Sequence, residues 1–109
     1  MTILNKVALY CEVDSTTAYD DQLLLLINNG IGVLASAGIP VTPINDTTED
    51  FEDIKAAHQP VVITWLCLNT LRIFDKSMAD ASVTTQSWID DELTRLFQSL
   101  KALYDRGGE

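Results

Sequence analysis

The sequence is poor in the residues from which active sites and cofactor pockets are usually built. It has one histidine, His58, and two cysteines, Cys11 and Cys67. A Ser-His-Asp or Cys-His arrangement would therefore have to use His58, and no glycine-flanked serine or cysteine elbow supplies the nucleophile. Neither cysteine has a second Cys or His at zinc-ligand spacing, which reads as two buried thiols in a reducing compartment rather than a metal site. Glycine-rich phosphate loops of the GxGxxG or GxxxxGK[ST] type are missing, as is the twelve-residue calcium-loop spacing. No metal and no cofactor is implied. Basic residues are scarce, seven Lys and Arg against sixteen Asp and Glu for a net charge of −9, so most of the surface would repel a phosphate backbone. The amino terminus shows no apolar run ending in a small-residue cleavage site, so no secretory signal is expected. Prolines number three and glycines five, while 47% of residues are hydrophobic, a balance that belongs to a folded chain.

A length of 109 residues suits a single domain with one core. The apolar run Leu23 to Ile27 follows closely behind Asp20 and Asp21 and is interrupted by Asn28, Asn29, Gly30 and Gly32. A membrane helix needs about 20 apolar residues in succession, so no membrane partner is expected. Beyond the run the apolar residues return at Ile31, Leu34 and Ala35 or Ala37, the three- and four-residue steps of a helix. Thr17-Ala18-Tyr19-Asp20 offers a cap at its start, and Gly38 with Pro40 offers a stop.

The same grammar predicts further helices. Thr2 precedes Ile3, Leu4, Val7 and Tyr10, a two-turn helix ending near 11–14. Thr47 to Asp50 heads an acidic helical segment with Phe51, Ile54 and Ala57 on one face. Pro60 breaks it and opens a fresh helix. The stretch 61–74 is almost wholly apolar. Its first four residues have strand propensity, but the positions Ile63, Leu66, Leu71 and Phe74, with Trp65 and Leu68, fit a central buried helix better. A last helix is expected from a cap at Ser87-Trp88-Ile89-Asp90, with a stripe of Ile89, Leu93, Leu96, Phe97, Leu100 and Tyr104. The predicted fold is all-α, a small bundle of about four helices, with room for a short extended segment in the loop before the last helix (78–86) and a flexible tail at 105–109.

Carboxylates cluster at Asp20 and Asp21, at 49–53, and at 90–92. Paired carboxylates can bind a divalent cation or act as acid and base, yet each cluster falls in the first turn of a predicted helix, where the dipole and capping account for it. His58 reads as a helix-end residue that caps the last carbonyls. Trp65 reads as core. Trp88, at the predicted start of the last helix, is either core packing or a contact anchor. Trp88, Asp90, Asp91 and Phe97 are the candidate interface residues; there are no candidate catalytic residues.

The run LYCEVDSTTAYDD, followed by QLLLLINNGIGVLASAGIP with its small-residue exit Ala37-Gly38-Ile39 and then a long apolar helix, resembles the head–tail connector proteins of tailed bacteriophages, also called head-completion or adaptor proteins. The resemblance covers about the first forty residues closely and the remainder in its helical layout. It implies a structural virion protein without a reaction. Copies would associate side by side in a ring, commonly dodecameric, docked beneath the portal after DNA packaging and offering a platform to the tail or its stopper. DNA would only pass through the channel, without sequence-specific binding. The site of action would be the head–tail interface of the virion, reached from the host cytoplasm during assembly, with the linkers 41–46 and 78–86 ordering on docking. A rival reading from the acidic clusters alone is a small intracellular helical binding module, a host-protein inhibitor or nucleic-acid mimic. An enzyme resting on His58 and the carboxylates stands third.

Overall fold

The structure, a computed structural model, describes residues 2–11, 19–76 and 83–104. Four α-helices make up most of it: α1 (Ile3–Tyr10), α2 (Asp20–Ser36), α3 (Gln59–Lys76) and α4 (Val83–Tyr104), with a 3-10 turn at Ala56–His58 leading into α3. Among the described residues there is no strand. The expected all-α bundle is therefore the observed fold, and 61–64 is helical.

The centre of the bundle is α3, which packs against α1, α2 and α4. Its buried residues, Val62, Trp65, Leu66, Cys67, Leu68 and Thr70, are spread around the helix rather than confined to a stripe. That is the pattern of a helix covered on several sides. Pro60 sits in its first turn, where the missing N–H has no helical partner to lose.

Short-range signals set several helix ends. The Thr2 hydroxyl accepts a hydrogen bond from the Asn5 amide at 3.1 Å, capping α1 as its sequence predicts. Ile3, Leu4 and Val7 then turn inward. At the end of α2, Gly38 adopts φ +93°, and the amides of Gly38 and Ile39 bond the carbonyls of Ala35 and Leu34 at 3.0 and 3.1 Å. This double bond pattern closes the helix through a left-handed residue, a conformation that glycine takes without the Cβ penalty. The start of α2 differs from expectation. Tyr19 is the cap residue and makes no side-chain cap bond, while Thr17 lies outside the described residues. Asp20 and Asp21 do occupy the first turn, favourably placed for the dipole.

Two predicted features fail, the first for a tertiary reason and the second for a local one. The segment 47–55 is not helical, although Phe51 and Ile54 are buried as expected; Ala57 is exposed. Gln59, at the start of α3, holds this backbone instead. Its amide nitrogen donates to the carbonyls of Phe51 (2.6 Å) and Ile54 (2.8 Å), and its oxygen accepts from the Phe51 amide at 3.1 Å. Asn28 of α2 does the same for Ile44, accepting from its amide at 2.8 Å and donating to its carbonyl at 3.1 Å. Each side-chain amide replaces the partner that a regular element would have supplied. The linker 41–46 is thus tied down within the isolated chain, not left to order on docking. The second failure is the cap at Ser87. α4 begins at Val83, so Ser87 lies inside it and the 83–86 part of the preceding loop is helical rather than extended. No glycine or proline breaks 83–86, so helix formation runs through the capping pattern. Residues 77–82 and the tail at 105–109 lie outside the described residues. Of the two carboxylate clusters placed in first turns beside Asp20 and Asp21, one therefore sits in the irregular segment and the other in the interior of α4.

Helix α2 approaches α3 closely at Gly30. A Cβ there would meet Asn69 Nδ2 at 3.0 Å, Leu66 Cδ2 at 3.1 Å and Trp65 Cζ3 at 3.2 Å, whereas one at Gly32 would meet nothing within 4 Å. Both substitutions to alanine gain about 1 kcal/mol of helix propensity. Only Gly30→Ala also incurs overpacking, typically about 1–3 kcal/mol. Chemical denaturation should find Gly32→Ala stabilised by about 0.5–1 kcal/mol, and Gly30→Ala unchanged or destabilised by up to about 2 kcal/mol.

Cys67 is buried, as expected, but Cys11 is only half-buried, and the two do not form a disulfide. Burial, with a smaller contribution from Cys11, pushes the Cys67 thiol from an ordinary value near 9 up to about 12. The native thiol therefore stays protonated where the unfolded one ionises. The stability from this group is complete below about pH 9 and is lost as pH rises toward 12. Urea titrations from pH 8 to 11 should show an alkaline loss of stability that is shallower in Cys67→Ala; identical slopes would contradict the assignment.

Candidate interface

The last helix carries all four predicted interface residues but does not bring them together. Successive residues turn by about 100°, so Trp88 and Phe97, nine apart, point to opposite flanks of α4. Asp91 follows Trp88 by one turn on its flank, and Asp90 falls on the flank of Phe97. The core stripe lies between them: Ile89, Leu96 and Leu100 are buried and Leu93, Phe97 and Tyr104 pack partly against the core.

On the first flank, Trp88 is 56% exposed. It is therefore not a core residue. Asp91 is exposed beside it. Glu92, in the same turn, accepts from Arg95 Nη2 at 2.7 Å, and this hydrogen bond holds its carboxyl below the usual range.

On the second flank, α3 and α4 enclose an open groove of about 380 Å³ lined by Trp65, Leu93, Thr94, Phe97, Gln98 and Lys101. Its floor is fixed. The Trp65 indole N–H donates to the Leu93 carbonyl at 3.1 Å, and the Trp65 and Phe97 rings meet at 6.3 Å between centroids, tilted by 42°. Lys101 stands at one end, in the last turn of α4 where a cation complements the helix dipole. Asp90 does not present a free carboxylate, because Arg72 of α3 bonds both its oxygens, through Nε to Oδ1 and through Nη2 to Oδ2 at 3.4 Å. It ties α4 to α3 instead. Lys101 and the Trp65 floor escape a sequence reading because the groove needs α3 beside α4. The spacing of Phe97 and Lys101, four apart beside the core stripe, was the one available signal.

Of the remaining candidates for chemistry, His58 is accounted for by packing. His58 Nδ1 lies 2.9 Å from the Tyr104 hydroxyl, with the two rings edge to face at 5.7 Å, so its side-chain partner is the end of α4 and not the carbonyls of its own turn. Asp50, Glu52 and Asp53 border a cleft of about 290 Å³ formed by the irregular segment. Among the described residues no group of three His, Cys, Asp or Glu side chains is arranged to hold a metal, and no helix is long and apolar enough to cross a membrane. Large apolar side chains exposed elsewhere include Leu9, Leu25, Val33, Ile73 and Leu103.

No curated protein and no solved structure matches the chain. A family model does, the one described as phage connector protein, over residues 3–107. With nearly the whole length matched, the chain belongs to the phage connector protein family.

Proposed function

We propose that this protein is a head–tail connector of a tailed phage, assembling as a ring beneath the portal after DNA packaging and joining the capsid to the tail. The family match across residues 3–107 carries this reading. Trp88, Asp90, Asp91 and Phe97 belong to its interfaces. In this role Trp88, Asp91 and Phe97 meet neighbouring chains, while Asp90 pairs with Arg72. The partners are further copies of the chain, the portal, and a tail or stopper protein; the place of action is the virion. The structure lends support in two ways. A chain of this size exposes Trp88 at 56% and Leu25 at 64%, apolar surface that assembly would cover. A net charge of −9 also suits a channel wall past which DNA slides without sticking.

The function is then one of interfaces, with no bond made or broken. The test is the mass of the purified protein by light scattering behind a sizing column, alone and with its cognate portal protein. A ring-sized species, or a monomer that co-elutes with the portal, is the expected result. A monomer that ignores the portal and captures a basic host protein instead would favour the acidic binding-module reading.

A further inference from the structure

The two flanks of α4 are complementary to each other. One presents a protruding indole, Trp88, with the Asp91 carboxylate one turn away. The other presents an aromatic-floored groove, with the Lys101 ammonium one turn beyond Phe97. Arg72 and Arg95 are engaged by Asp90 and Glu92. Among the described residues, neither Asp91 nor Lys101 takes part in an ion pair. An acidic chain that binds itself must offset like-charge repulsion where its copies meet, and a cation in the groove facing an acid beside the indole does so.

We infer that the groove between α3 and α4 receives Trp88 of a second copy of this chain, with Asp91 of that copy pairing with Lys101. The inference rests on the connector reading and adds to it the residues of the copy-to-copy contact. A space of about 380 Å³ falls at the small end of ligand-sized pockets, a scale suited to one large aromatic side chain. The indole is a rigid, amphipathic anchor of the kind that dominates interface energetics. Because knob and groove lie on opposite flanks of one helix, the contact is heterologous. Each copy uses its knob on one neighbour and its groove on the other, which is the geometry that generates a ring when the rotation closes. A portal can supply the rotation, so the same contact serves whether the ring forms alone or on a template.

The test uses the full chain under conditions in which the wild type assembles, alone or on its portal, with mass measured by sedimentation or native mass spectrometry. Trp88→Ala removes the knob at an exposed position, and Gln98→Trp fills the groove from its exposed edge. Each should weaken self-association by about thirtyfold or more. Mixed together, the two should form a 1:1 dimer that does not grow, since only one productive knob and groove remain per pair. Asp91→Lys and Lys101→Asp should each weaken assembly by about tenfold, and the double swap should restore it. Rings that persist in Trp88→Ala and Gln98→Trp, or charge swaps without rescue, would overturn this contact while leaving the connector reading intact. Variants that keep self-assembly but lose portal binding would assign the groove to the portal and also overturn it. A wild-type chain that never assembles, even with portal, would overturn the connector reading and this contact together.

Discussion

The constraint on which the structure depends is the covering of α3. Its buried side chains, from Val62 and Trp65 to Leu68 and Thr70, lie all around the helix, so it must be packed by several neighbours at once. The described chain contains three other helices, and all three pack on it. α2 can come close because Gly30 has no side chain at the crossing. α1 closes a third side with Ile3, Leu4 and Val7. The irregular segment 41–55 adds Val41, Ile44, Phe51 and Ile54 to the same core, its backbone held by the amides of Asn28 and Gln59. Burial of this kind contributes about 1.5–3 kcal/mol for each large apolar side chain, which offsets the cost of ordering an irregular loop.

The proposed function draws on what this arrangement leaves over. With α1, α2 and the irregular segment gathered around α3, the outer flanks of α4 face solvent. One flank carries Trp88; the other holds the groove floored by Trp65 and Phe97. Burial of Ile89, Leu96 and Leu100 and the Trp65 bond to the Leu93 carbonyl hold α4 on α3, with the half-exposed Arg72–Asp90 pair adding little, so both surfaces sit on a packed helix. Pre-organisation of this sort lowers the entropy lost on association. In the proposed connector role these surfaces are where further chains would be met.

Much of this was legible in the sequence where the signal is local. The Thr2 cap, the Gly38 exit and the Pro60 start each depend on a few neighbouring residues, and each appears where its pattern places it. The periodicity of 89–104 gave the core stripe of α4, and the resemblance of the first forty residues anticipated the family. What escaped was decided at a distance. Phe51 and Ile54 have helical spacing, but Gln59 fixes the backbone between them in another form. The Ser87 to Asp90 pattern has the chemistry of a cap, yet α4 already runs through it and Asp90 bonds to Arg72, eighteen residues earlier. The groove needed two helices side by side before its residues could be seen as one surface.

The central claim is that Trp88 is exposed in the free chain because assembly covers it. Acrylamide quenching of tryptophan emission, compared between the wild type and Trp88→Phe, isolates that indole from the buried Trp65. The account predicts a Trp88 emission readily quenched in the free protein and protected in the portal-bound assembly. A Trp88 signal quenched equally in both states would contradict it.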